Sequence, residues 1–179
     1  MTGSDAGPIS EASASAIASV LNRHGVAYVV IGAFAAIAQQ APIDPTRDID
    51  FTPDDSRQNL ERLSAALEEL GTRIRTDAVP EGLPFDHDAG SLARAAMWNL
   101  QCSFGEFDIT FRPGGFDDGY RQLVVHAHRV RVGDVEVDVA DLADVIRSKE
   151  AAGRPKDLRV LSALYRHQAA RGSGPPGAR

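Results

Sequence analysis

Two short runs, RDIDF at residues 47–51 and EFDITF at 106–111, constrain this chain more than any other feature. Both alternate acidic and apolar residues, and the two-residue period of a β-strand sorts such a pattern onto opposite faces. In the first run Asp48 and Asp50 take one face while Ile49 and Phe51 turn to the other. In the second, Phe107, Ile109 and Phe111 share a face, leaving Asp108 and Thr110 opposite. Aspartate is disfavoured in strands, so three such carboxylates need a reason. Either these faces are solvated, or the two strands are neighbours and Asp48, Asp50 and Asp108 converge, where only divalent cations would relieve their repulsion. Magnesium suits such a cradle: it takes oxygen ligands, keeps several waters and completes its shell with substrate phosphates. Two such ions would stabilise the attacking and leaving oxygens of a phosphoryl or nucleotidyl transfer.

The surroundings of these runs set the fold class. ISEASASAIASVLNRHG reads as a helix capped by Ser10 and stopped at Gly25, VAYVVIG as a buried strand, and AFAAIAQQA as an Ala-rich helix. DDSRQNLERLSAALEELG carries Leu60, Leu63, Leu67 and Leu70 on one stripe and ends at Gly71, which makes it a helix as well. RIRT reads as a strand, AVPEGLPFDHDAG as a loop, AMWNLQCSF and EFDITF as a hairpin turning at Gly105, and RVRVGDVEVDVA as a second hairpin. DLADVIRSKEAAG and RPKDLRVLSALYRHQ form a helix pair split by Gly153 and Pro155, and RGSGPPGAR reads as a disordered tail. The expected architecture is a mixed α/β (α+β) domain over residues 1–170. Its sheet and flanking helices form a core at about 26–139, a helix pair spans about 140–170, and the tail covers 171–179.

Composition removes some functions. With 43% hydrophobic residues, no membrane-length apolar run and no secretory-signal pattern at the start, a cytoplasmic protein is expected. A single cysteine, Cys102, allows no internal disulfide and reads as a packed residue. A net charge of -6 argues against broad nonspecific nucleic-acid binding, while leaving room for a local basic patch. His126 and His128 share a strand face but lack a third ligand, and Asp86, His87 and Asp88 read as a solvated loop cluster.

Other residues extend the candidate site. Gly32, between a strand and a helix, lets backbone approach a ligand at a helix amino terminus that favours phosphate; one glycine is too few for a dinucleotide fingerprint. Lys149 continues the apolar stripe Leu142, Val145 and Ile146, so it either snorkels outward or enters a polar site. Arg154, Lys156 and Asp157 cluster at the start of the last helix.

Taken in order, YVVIGAFAAIAQQAPIDPTRDIDFTPDD, NLERLSAALEELG, GEFDITFRPGG and DLADVIRSKEAAGRPKDL resemble the DNA-polymerase-β-like nucleotidyltransferases, most nearly the AbiE-type and MenT-type toxins of bacterial toxin–antitoxin pairs. The resemblance implies that Asp48 and Asp50 bind metal, Mg2+ or Mn2+, and that Asp108, the third metal carboxylate, helps activate the attacking hydroxyl. It further implies that Lys149 contacts the nucleotide phosphates and that Asp157 is a further functional acid. Gly32 matches the glycine turn of the superfamily, and Ala33 stands where many relatives carry Ser or Gly. Lys156 and Arg154 join the nucleotide side, with Arg47 and Arg159 as further phosphate or nucleic-acid contacts. Thr46 matches a hydroxyl that some MenT-type toxins have phosphorylated by a partner antitoxin kinase; a phosphate there would place negative charge beside the metal acids.

The expectation is a Mg2+-dependent nucleotidyltransferase that uses an NTP, releases pyrophosphate and modifies the 3′ end of tRNA as a toxin restrained by a cognate antitoxin. The alternatives are modification of a protein partner, a metal-dependent glycosyltransferase, and a non-catalytic partner-binding scaffold.

Overall fold

The structure, a computed structural model, describes residues 7–172. Its strands are β1 (Tyr28–Ile31), β2 (Asp48–Pro53), β3 (Arg73–Thr76), β4 (Val79–Pro84), β5 (Met97–Cys102), β6 (Gly105–Thr110), β7 (His128–Val132) and β8 (Val135–Val139). Its helices are α1 (Glu11–Arg23), α2 (Gly32–Ala38), α3 (Arg57–Glu69), α4 (Ala89–Leu92), α5 (Tyr120–Leu123), α6 (Leu142–Ala152) and α7 (Pro155–Gly172). The strands form one mixed sheet in the order β4-β3-β5-β6-β2-β1-β8-β7, so the two acid-bearing strands lie side by side at its centre. They run parallel, and β1 pairs antiparallel with β2.

The alternating pattern places the core. Ile49, Phe51, Phe107 and Ile109 are fully buried, and Phe51 stacks edge-on against Tyr28 and Phe107 at 5.2 and 6.2 Å. Each such side chain contributes about 2 kcal/mol through burial alone, which pins the register: a one-residue slip would exchange phenylalanines for aspartates. The stripe of α3 buries Leu60, Leu63 and Leu67. Asn59 bonds both the N–H and the C=O of Ala27, at 2.7 and 2.9 Å, tying that helix to the start of β1. Ser10 caps α1 by accepting the Ser13 N–H at 3.0 Å.

The loop expected at AVPEGLPFDHDAG is a correction: Val79–Pro84 form β4, paired with β3, and Ala89–Leu92 a short helix capped by Asp88. β4 lies at the sheet edge, where the absent N–H groups of Pro80 and Pro84 leave only one side to satisfy. Residues 171 and 172, assigned to the tail, continue α7; the rest of the expected tail lies outside the described residues. Cys102 is half-buried against the core.

Candidate active site

β2 and β6 align Asp48 with Glu106 and Asp50 with Asp108, so four carboxylates occupy one face of two adjacent strands. Ile31, paired with Asp50 across β1, brings the Gly32 turn against that face. At φ +77, a Cβ on Gly32 would lie 2.2 Å from Asp50 Oδ2, so the glycine is required twice, by its backbone conformation and by the carboxylate beside it. Burial, with repulsion from Asp48 and Asp108 and partial relief from Lys149 and Lys156, pushes the Asp50 carboxyl up to about 7. Burial likewise raises Asp108 to about 6, against the pull of Arg75 and with a further push from Asp48. This oxygen-only donor set, in which neighbouring carboxylates push Asp50 and Asp108 up, fits a hard divalent cation. Among the described residues no group of three or more His, Cys, Asp or Glu side chains is by itself placed to hold a metal ion. An ion held here would therefore draw part of its shell from substrate phosphate and water, as magnesium does.

A second wall comes from the helix pair. Gly153, left-handed at φ +60, ends α6 with its N–H on Lys149 C=O, and Pro155 starts α7. Asp157 is 2% exposed and accepts from Lys149 Nζ at 3.1 Å and Arg154 Nε at 2.6 Å. Burial alone would raise its pKa, but those two hydrogen bonds hold it below the usual carboxylate range. Lys149 thus enters a polar site instead of snorkelling, and Asp157 is enclosed by the cations it orients. Lys156 is exposed and lines the same cleft.

The cleft between these walls has a volume of about 900 Å³. Gly32, Ala33, Thr46, Asp48, Asp50 and Asp108 line it on the sheet side and Lys149, Arg154, Lys156 and Asp157 on the helix side, so these ten meet at one place, while Arg47 and Arg159 lie outside its lining. Thr46 Oγ1 donates to Asp48 Oδ1 at 3.1 Å. Ile31, the cap of α2, offers no side-chain hydrogen bond to that helix's first N–H groups. Arg159 is exposed, and Arg47 reaches Glu106 at 3.6 Å. The histidines go elsewhere: His126 pairs with Asp144 at 3.3 Å and His128 with Asp141 at 2.6 Å. His87 bonds Ser64 at 2.8 Å.

Sequence reasoning missed Arg75 and Glu106. Arg75 donates to Glu106 Oε2 at 2.6 Å and to Asp108 Oδ1 at 2.7 Å, with Asp48 Oδ2 at 3.5 Å. Burial opposes its charge, yet the three carboxylates outweigh burial and raise its pKa further. A signal existed for both residues: an arginine inside a short strand, and Glu106 two residues before Asp108 on the same strand face.

A carboxylate-faced central pair of strands, a glycine turn beside them and a cationic wall opposite form a cleft suited to a metal-bound nucleotide, and known proteins supply the family. The chain belongs to the aminoglycoside-2''-adenylyltransferase family, whose model matches residues 14–116, more than half of its length. That span holds Gly32 and the three aspartates and stops before the helix pair. The lincosamide antibiotic adenylyltransferase LnuA, solved with lincomycin bound, shares the fold at a TM-score of 0.59 and 14% identity, over 89% of this chain and 98% of that one. The antibiotic-resistance factor ANT(2'')-Ia superposes at 0.52 and 13% identity, over 90% and 93%. An antigenic nucleotidyltransferase-like protein from Paracoccidioides brasiliensis does so at 0.52 and 16%, over 88% and 78%. No curated protein matches by sequence. The chain is a nucleotidyltransferase, in a fold that uses NTP and divalent metal to transfer a nucleoside monophosphate. No helix among the described residues is long and apolar enough to cross a membrane.

Proposed function

We propose that this protein transfers a nucleoside monophosphate from Mg2+-bound NTP to a hydroxyl of a small cationic antibiotic of the aminoglycoside or lincosamide kind, in the cytoplasm, releasing pyrophosphate. The observation that carries the reading is the register of Asp50 with Asp108 beside the Gly32 turn. Asp48, Asp50 and Asp108 would hold the divalent ions, which neutralise the triphosphate and stabilise the leaving oxygen. Lys149, Lys156 and Arg154 receive the phosphates, with the uncapped amino end of α2 at Gly32 and Ala33 beneath them. Asp157 acts as a positioning residue, holding Lys149 and Arg154. Asp108, with a pKa near 6, suits acceptance of the acceptor's hydroxyl proton. Residues 1–170 would act as one unit, the core near 26–139 supplying acids and residues 140–170 cations.

Sheet order supports the direction of transfer. Gly32 follows β1, the acids stand on β2 and β6, and Met97 and Asn99 on β5 continue the cleft away from the phosphate side. Asp44 and Asp77 also line the cleft and add negative charge to it, which favours a cationic acceptor.

A second reading, the 3′ end of tRNA as acceptor and a toxin controlled by an antitoxin, draws on the carboxy-terminal charge. Residues 145–172 carry seven Lys or Arg against two acids in a chain of net charge -6. Arg159 and Arg166 have no ion pair among the described residues, a surface suited to a polyanion. In that reading an antitoxin kinase would phosphorylate Thr46, whose hydroxyl holds Asp48.

The deciding experiment incubates the protein with Mg2+ and each α-labelled NTP, offering an aminoglycoside, a lincosamide, total tRNA or cell protein, beside Asp50→Asn. Label on an antibiotic, with pyrophosphate and dependence on Asp50, is expected. Label on tRNA alone would select the second reading, and label on protein alone would point to a protein partner. In a parallel incubation with a nucleotide sugar in place of the NTP, release of a nucleoside diphosphate would mean a glycosyltransferase. No label on any acceptor and no Mg2+-dependent NTP binding would leave only a scaffold.

A further inference from the structure

A guanidinium stands against two of the carboxylates that the chemistry assigns to a metal, bonding Asp108 Oδ1 and reaching Asp48 Oδ2 at 3.5 Å. Arg75 stands on β3, which is separated from β6 by β5, so its side chain crosses a whole strand to reach Asp108, Glu106 and Asp48. It is 21% exposed there. Its strand neighbour Arg73 shows what a structural arginine does at this edge: it donates to the carbonyls of Glu81 and Gly82 at 2.7 and 2.8 Å and clasps the β3–β4 hairpin. Arg75 makes no such bond to backbone and spends its fork on carboxylates. Asp50 is the one acid of the face it does not contact.

We infer that Arg75 is a resident competitor of the divalent ion: it holds Asp48 and Asp108 together and must yield their oxygens for the ion to bind, while Glu106 keeps it moored beside the site. An aspartate oxygen in a charge-assisted bond of 2.7 Å has given one of its lone pairs to that donor, and a second cation brought against the same carboxylate would be repelled by the first. The exchange is reciprocal: whatever Arg75 takes from metal affinity, metal binding takes from the Arg75 contacts. Asp50 is the carboxylate of the three that Arg75 leaves untouched for an arriving ion. The device makes the acids a poor site for metal alone and a better one for metal arriving with a triphosphate, which brings its own oxygens. The inference rests on the assignment of the ions to Asp48, Asp50 and Asp108.

The test is calorimetric titration of Mn2+ into the full chain, with and without a non-hydrolysable NTP, for wild type, Arg75→Gln, Arg75→Lys and Arg112→Gln. Arg112 lines the same cleft but pairs with Asp55, so its variant removes an equal charge without touching the carboxylates. Arg75→Gln should tighten Mn2+ binding to the nucleotide-free protein about tenfold, within the range of ordinary coupling energies, and Arg75→Lys less. Arg112→Gln should leave it unchanged, and the advantage of Arg75→Gln should shrink when the nucleotide is present. A parallel melting series shows folding: Mn2+ should raise the melting temperature of Arg75→Gln more than that of wild type. Equal Mn2+ affinity in wild type and Arg75→Gln would overturn the competition and leave the metal assignment standing. Equal tightening in Arg112→Gln would overturn it by reducing it to distant charge. No Mn2+ binding in any protein, with or without nucleotide, would overturn both.

Discussion

The two walls of the cleft are built on opposite principles. The acid wall lies at the centre of an eight-stranded sheet, where Asp48, Asp50 and Asp108 stand on the reverse of strands whose other face buries Ile49, Phe51, Phe107 and Ile109. The cation wall is a helix pair beyond the family match, held at the site by one buried carboxylate, Asp157, between Lys149 and Arg154. Like charges that repel need a frame that cannot relax, and the hydrophobic register of two central strands supplies it. Cations that meet a flexible triphosphate need only be gathered and aimed, and a helix turn with one internal counter-ion does that. The acid side is therefore held by the core of the sheet, and the cation side by its own internal counter-ion.

Breaking the acid wall should have the largest effect. Asp50→Asn is expected to lower pyrophosphate release by about three orders of magnitude, since the charge lost is one that would bind metal, while the fold survives. Retained activity would show that this wall is not where the ions sit. On the cation wall, Lys149→Ala should reduce kcat/KM for NTP about a hundredfold, mostly through the phosphates. Asp157→Ala separates the two walls most clearly. It leaves Lys149 and Arg154 without their shared acceptor, should cost about 3 kcal/mol by denaturant unfolding, and should lower activity less than Lys149→Ala does. Gly32→Ala should cost about 2 kcal/mol and most of the activity, because its Cβ meets Asp50 Oδ2 at 2.2 Å and φ is +77.

The smallest effect is in pH. Burial raises Asp50 to about 7 and Asp108 to about 6, so the folded protein keeps protons that the unfolded chain has already lost. That contribution is fully present below about pH 4 and is lost as pH rises through 7, so the melting temperature without divalent metal should fall over this window. Asp50→Asn should flatten the decline and Mg2+ should offset it. A melting temperature that rises over the same window would show that the acids do not repel as their placement requires.

The elements were largely legible because their periods were clear: the leucine stripe of α3, the alternation of β2 and β6, and the Gly153–Pro155 break were all written locally. β4 was not, since two prolines and a glycine in six residues look like a loop until an edge position makes their missing N–H groups harmless. Within the site, Asp48, Asp50 and Asp108 could be read from alternation, and Lys149 from a charge interrupting an apolar stripe. The embrace of Lys149 and Arg154 by Asp157 could not, because a helix-starting aspartate has the same local signature whether it faces solvent or lies 2% exposed. Arg75 was less legible still: its partners are 27, 31 and 33 residues away and on strands that are not its neighbours.

By itself, then, the sequence determined which side chains share a face, because strand and helix periods are properties of a few consecutive residues. Only the tertiary structure decided which faces meet: that β6 lies parallel beside β2 in the register that matches Asp50 with Asp108, that Gly32 closes against that pair, and that Arg75 reaches across β5 to the same oxygens. Those relations depend on long-range pairing chosen by burial of the whole core, and no local pattern encodes the distance between two charges that the chain separates by dozens of residues.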